Sequence, residues 1–233
     1  MKTTVGALKS ALSKVQKAVH TSFVTLQGTA SALTIHASNG PQGCAKATVA
    51  VEDGGDFIAL VDGNRLSAVL GGADVSQDCL IKASKDAVRL RFGQANIRFP
   101  VSDEEPTLLE DSRWKGATPI GQKVGGAALK AAFERVTPFA ARGDVRYFLN
   151  GVLMTVRDGR LTLVTTDGFR LARLKTEIAV TDVPDSIIPI SIADALGSVL
   201  DGASEVQIVT VGDSDSRGVG FRSDNFEVMC PVI

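Results

Sequence analysis

Residues 7–15, ALKSALSKV, return as residues 128–136, ALKAAFERV, and this recurrence sets the architecture before any single motif is read. Two further blocks repeat in the same order. Leu33-Thr34-Ile35 leading to Ser38-Asn39-Gly40 matches Leu161-Thr162-Leu163 leading to Thr166-Asp167-Gly168, and Val69-Leu70-Gly71-Gly72-Ala73 matches Val199-Leu200-Asp201-Gly202-Ala203. The offset grows only from 121 to 128 to 130 along the chain, as two homologous units with small loop-length differences would give. Phe99-Pro100-Val101 has a fainter echo in Cys230-Pro231-Val232. A polar, proline-bearing stretch from Asp103 to Pro119 separates the halves, so the expected domains are 1–118 and 119–233.

Within a half, Val5, Leu8, Leu12, Val15 and Val19 recur at helical spacing with Lys9, Ser13, Lys14 and Lys17 on other faces, which predicts an amphipathic helix over 5–19. Its counterpart runs from about Gly126 to Phe139. A second helix begins at Asp62 or Asn64 and stops at Gly71-Gly72; Ser191 is the expected cap of its counterpart, which ends at Asp201-Gly202. Most of the remainder alternates as strand. Val152–Val156 and Arg160–Thr165 flank the turn Arg157-Asp158-Gly159; Val88–Phe92 and Asn96–Val101 flank Gly93; Val206–Val211 precedes Val219–Phe221. The expected fold class is α+β, two repeated domains, each mainly antiparallel sheet with two helices on one face.

The chain has 233 residues, 44% of them hydrophobic, and a net charge of −1, which excludes a disordered or globally basic protein. Cys44, Cys79 and Cys230 are far apart and form no CxxC pair, so neither a disulfide framework nor a zinc site is expected, and a reducing cytoplasm fits. No signal-peptide core and no stretch near the roughly 20 apolar residues of a membrane span is seen, so a soluble, unprocessed protein is expected.

The segment DVRYFLNGVL at Asp144–Leu153, followed by LVTTDGFRLA at Leu163–Ala172, resembles the middle-domain signature of bacterial DNA polymerase sliding clamps, the beta-subunit type. Weaker similarity runs through Asn64 to Trp114, and Val228-Met229-Cys230-Pro231-Val232-Ile233 is similar to that family's C-terminus. The departure is the length of one whole domain, which makes this a two-domain short form. The resemblance implies a ring of six similar domains with helices lining a hole and strands joined in an outer sheet. A two-domain chain reaches six as a homotrimer, and closed head-to-tail symmetry removes exposed edges.

The implied DNA-facing residues are Lys9, Lys14 and Lys17 on the first helix, Lys123, Lys130 and Arg135 on its counterpart, and Arg142, Arg146 and Tyr147 in the following loop, where family members touch duplex DNA. The physical basis is sequence-independent attraction to phosphates. Residues 1–51 contain Lys2, Lys9, Lys14, Lys17 and Lys46 and no acid. A second implied site is an apolar pocket for short peptides of DNA polymerase and clamp-loader subunits, built from Leu149, Thr166, Gly168, Phe169, Arg170 and Leu171. Val228, Met229 and Pro231 stand in from the tail for the absent domain. Phe169 replaces the family's usual histidine.

No enzymatic constellation is present. His20 and His36 have no metal-ligand spacing to a cysteine or acid, Gly71-Gly72 and Gly125-Gly126 lack a phosphate-loop lysine, and Asp103-Glu104-Glu105 reads as a solvated connector. No cofactor or metal is therefore expected. Two readings follow: a processivity ring, of the kind a phage or mobile element would encode beside a host clamp, and a non-encircling clamp-like module acting as decoy or regulator of host replication proteins.

Overall fold

The computed structural model describes residues 1–40, 43–109, 114–200, 205–212 and 218–233. The chain divides into two compact units, Met1–Gly40 with Cys44–Ser112 and Pro41–Gly43 with Arg113–Ile233. The break falls slightly before the sequence-drawn boundary at 118/119. Trp114 explains this, since it is 1% exposed and its ring lies where a Cβ on Gly218 of the second unit would have to go.

The first unit runs β1 (Lys2–Thr4), α1 (Val5–Ala18), β2 (Phe23–Gly28), β3 (Ala32–Ser38), β4 (Cys44–Ala50), β5 (Phe57–Asp62), α2 (Gly63–Gly71), β6 (Asp78–Ala83), β7 (Ala87–Phe92) and β8 (Ala95–Pro100). The second repeats that order as β9 (Thr118–Gly125), α3 (Gly126–Val136), β10 (Gly151–Arg157), β11 (Arg160–Thr166), β12 (Leu171–Ala179), β13 (Ser186–Pro189), α4 (Ile190–Val199), β14 (Glu205–Val211), β15 (Gly218–Arg222) and β16 (Phe226–Pro231). Strands follow one another as β5-β2-β3-β4 and β1-β6-β7-β8 in the first unit, and as β12-β11-β10-β13 and β9-β14-β15-β16 in the second, with antiparallel pairing throughout these runs. Each unit is thus α+β, mainly antiparallel, with two helices.

The helices form where the sequence carries both an apolar stripe and an end signal. Along α1, Val5, Leu8, Ala11, Leu12, Val15 and Ala18 are buried, and the Thr4 hydroxyl accepts from the Ala7 N–H at 3.1 Å. Asp62 caps α2 by accepting from the Arg65 N–H at 2.9 Å. The counterpart of α1 is shorter than expected: α3 stops at Val136 and tightens into a 3-10 turn over Thr137–Phe139, because Pro138 has no N–H to continue the ladder. Ser191 does not cap α4. That helix starts two residues earlier than a Ser191 cap would set it, behind Pro189, and the Ile190 N–H is satisfied by the Asn150 carbonyl at 3.0 Å. The expected stop at Asp201-Gly202 lies outside the described residues.

The hairpin between β10 and β11 turns on Asp158 and Gly159, with φ of 52° and 70°, the pair of positive values a tight two-residue hairpin requires. In the first unit Leu8, Leu66, Ile81, Val88, Leu90 and Phe99 meet in the core. In the second, Phe133 of α3 meets Phe221 of β15 edge to face at 5.9 Å. His36 is 2% exposed, with one ring nitrogen 2.9 Å from the Gln27 side-chain oxygen and the other accepting from the Leu109 N–H, so it is a core-satisfied histidine.

Candidate nucleic-acid and peptide interface

Three surfaces hold the residues singled out from sequence. The first is α1, with Lys9 and Lys14 half-buried and Lys17 exposed. Lys9 donates to the Gly71 carbonyl at 3.1 Å, so its ammonium sits at the C-terminal end of α2, where the helix dipole favours a cation.

The second surface is α3 and the loop after it. Lys130 is on α3 and pairs with Glu134 one turn on, at 4.0 Å; Arg135 is exposed on the same helix. Lys123 is not on this helix. It lies on β9, 3.6 Å from Glu205 of β14, because the chain is still extended up to Gly125 and the helix begins only at Gly126. Arg142 makes a two-pronged bond to Asp194 at 2.6 and 3.1 Å. Asp144 accepts from the Arg146 N–H at 2.8 Å and from its guanidinium at 3.0 and 2.8 Å. Asn150 closes the loop, accepting from the Asp144 N–H and donating to the Asp144 carbonyl. This scaffold presents Val145, Tyr147 and Phe148 outward at 97, 68 and 49% exposure.

The third surface is the turn between β11 and β12. The Thr166 hydroxyl donates to the Arg170 carbonyl at 2.6 Å and accepts from the Gly168 N–H at 3.0 Å. Asp167 accepts from the Phe169 and Arg170 N–H groups at 3.0 and 2.8 Å and holds the Arg170 guanidinium with its second oxygen. Gly168 has φ 90°, and the Arg146 guanidinium packs where a side chain would be, so this position requires glycine and the loop and turn lie against each other. Phe169 and Leu171 stand out at 97% and 65% exposure, whereas Leu149, at the end of the 147–149 turn, is buried at 9%. Val228 and Met229, expected from the tail, do not line an open pocket: they belong to β16 and are 1% and 0% exposed, with Pro231 half-buried at its end.

Sequence reasoning passed over Asp144, Asp167 and Asn150, the groups that fix these loops. The Arg146 side chain and then its N–H pull Asp144 down to about 2, and the Arg170 and Phe169 N–H groups, then the Arg170 side chain, do the same for Asp167. Folded values below the ordinary carboxylate range mean that the order they confer is complete above about pH 4 and is lost as pH falls through about 2. Amide resonances of 166–171 followed from pH 5 downward should hold and then broaden near the bottom of that window. In Asp167→Asn that late transition should be absent from the turn.

A groove of about 610 Å³ lies elsewhere on the second unit, between β9, α3 and β12, with Val124, Ala128, Ala132, Leu174 and Ile178 on its walls and Lys123 and Arg135 at its margin. Among the described residues no cluster of His, Cys, Asp and Glu could hold a metal ion, and no helix is long and apolar enough to cross a membrane.

The two units share one order of strands and helices, and the second sets a basic and aromatic loop against a turn with exposed apolar side chains. The central-domain family of the DNA polymerase III beta subunit matches residues 123–233, and across this second unit the chain is similar to that family. It is 34% identical to the beta sliding clamp of Pseudomonas aeruginosa over 115 residues, 48% of this chain and 28% of that protein. It is 40% identical to the beta sliding clamp of Chlamydia trachomatis over 70 residues, 29% of this chain and 17% of that protein. Among solved structures, the DNA polymerase III subunit beta of P. aeruginosa superposes with a TM-score of 0.83 at 21% identity, and that of Thermotoga maritima with 0.81 at 23%. Both matches cover 100% of this chain and 64% of the other, and they establish the fold. The chain therefore spans less than two thirds of the length of the solved clamps.

Proposed function

We propose that this chain is a non-enzymatic cytoplasmic processivity factor whose copies close into a ring around duplex DNA. It tethers DNA polymerase and clamp-loader subunits by short peptides seated against Leu149, Phe169 and Leu171. Three copies of the two units supply six domains. The observation that carries this reading is the pattern of edges. Several outermost strands are met within their own units: β1 exchanges bonds with Glu52, β5 takes the Ser102 N–H, and β13 takes the Ile233 N–H. By contrast, among the described residues β8 pairs only with β7, and β12 only with β11 apart from a contact of Gln122 with its last carbonyl. Open edges at β8 and β12 are what head-to-tail closure uses, and the groove beside β12 gives a second copy apolar surface to bury.

A second reading has its own support. Phe169 and Leu171 are exposed in the single chain and need no ring to receive a peptide, as a non-encircling module would require. Solution mass separates the two. Three chains of 24.4 kDa give about 73 kDa for a closed trimer, whereas a strict monomer at micromolar concentration would remove the ring and leave the module.

A further inference from the structure

We propose that the outward face of β6, β7 and β8 is a binding site for the phosphate backbone of a nucleic acid, separate from the lysines of α1. In the antiparallel register Lys82 faces Arg89, and Arg89 faces Arg98, so three cations stand side by side across three strands. Arg91, two residues along β7, adds a fourth between Leu80 and Asn96. All four cations are exposed, while alternate residues Ile81, Val88, Leu90 and Phe99 point the other way into the core with Leu8 of α1 and Leu66 of α2. The ladder therefore lies on the side of the sheet away from the helices of its unit.

These strands carry a single acid, Asp78, and Lys2 already holds it at 2.9 Å. Among the described residues none of the four cations has an ion pair; Arg98 makes only a 3.4 Å bond to the Asp86 carbonyl. Like charges directly opposite one another on a sheet are unfavourable, so the arrangement leaves an uncompensated field that an anion relieves.

Geometry decides which anion. Neighbouring strands lie about 4.8 Å apart, so the ladder spans roughly 10 Å across the strands. One strand of a duplex presents a phosphate about every 3.4 Å of axis, so roughly three fall within that span. An acidic protein strand added to the β8 edge would run parallel to β8 and meet Arg98 alone, leaving Arg89 and Lys82 behind it unmatched. Three of the four cations are arginine, whose planar fork suits phosphate oxygens, and no exposed aromatic ring on these strands offers base stacking. Recognition is thus of the backbone and independent of sequence.

The test uses the full 233-residue chain and a labelled short linear duplex, with affinity read by anisotropy across a salt series. Arg89→Glu/Arg98→Glu should weaken binding at low salt at least tenfold and reduce the slope of log K against log salt by about 2, near 0.9 per lost contact. Arg89→Gln/Arg98→Gln should lower the slope in the same way while melting no lower than the parent, since it relieves repulsion. Unchanged affinity and slope in both variants would overturn the site. So would loss of binding to a polyglutamate probe with duplex binding intact, which would assign the face to an acidic protein. A monomeric chain that still shows the Arg89- and Arg98-dependent slope keeps this site while losing the ring.

Discussion

Ile97→Asp and Leu174→Asp should each release 24.4 kDa monomers from the proposed trimer of about 73 kDa, and each should abolish retention on circular DNA. Ile97 is half-buried on β8 and pairs with Leu90; Leu174 is half-buried on β12, pairs with Leu163 and forms a wall of the 610 Å³ groove. In the single chain both side chains are partly solvated, so a carboxylate there is tolerated and far-UV dichroism should be retained. In a closed seam the same carboxylate would be buried without a cation, at a cost of about 3 kcal/mol, more than a hundredfold in a dissociation constant. A ring of three identical seams takes that loss three times, so opening should be complete at micromolar concentration. Ile97→Val and Leu174→Met keep the apolar surface and should keep the mass. A parent assembly that survives both aspartates would show that β8 and β12 are not where copies meet.

Much of this fold is legible in the sequence because the signals are local. The stripe from Val5 to Val15 and the Asp158-Gly159 turn each lie within one element, and the repeat of ALKSALSKV fixes the domain count. Lys123 was misread because its position depends on where strand gives way to helix, and Gly125-Gly126 sits on that boundary. The placement of Lys2 on β1, at the repeat-equivalent position, shows the same strand-to-helix entry in the first unit. Val228 and Met229 were misread for another reason. Five consecutive residues from Phe226 to Cys230 are buried, so β16 shows none of the alternation that marks a half-buried strand and reads as an apolar tail. Asp144 and Asp167 were within reach, since an aspartate two or three residues ahead of the N–H groups it captures is a known turn former. The ladder of Lys82, Arg89 and Arg98 was not, because only the antiparallel register brings residues 82, 89 and 98 abreast.

Lys14→Glu/Lys17→Glu should cost most of the attraction to DNA at the helix surface, and the reason lies in which cations are already paired. In the second unit Lys123 is met by Glu205, Lys130 by Glu134, Arg142 by Asp194 and Arg146 by Asp144, so each local field is close to neutral. Exposed pairs of this kind hold only about 0–1 kcal/mol, and phosphates can displace them, but the gain per cation is reduced by the partner left behind. On α1 the balance differs, because no acid occurs anywhere in residues 1–51. Lys9 is the less suitable of its three lysines to reverse, since its bond to the Gly71 carbonyl means that a glutamate there would also destabilise the end of α2. Reversing Lys14 and Lys17 alters two cations per copy and six in a trimer. At about 0.9 per phosphate contact, the salt slope of retention on circular DNA should fall by about 5, with affinity near physiological salt lowered by roughly a thousandfold or more. The trimer mass should be unchanged, which separates loss of DNA from loss of the ring. Retention equal to the parent's at every salt concentration would remove α1 from the DNA-facing surface and shift the electrostatic role to the outer face of the sheet.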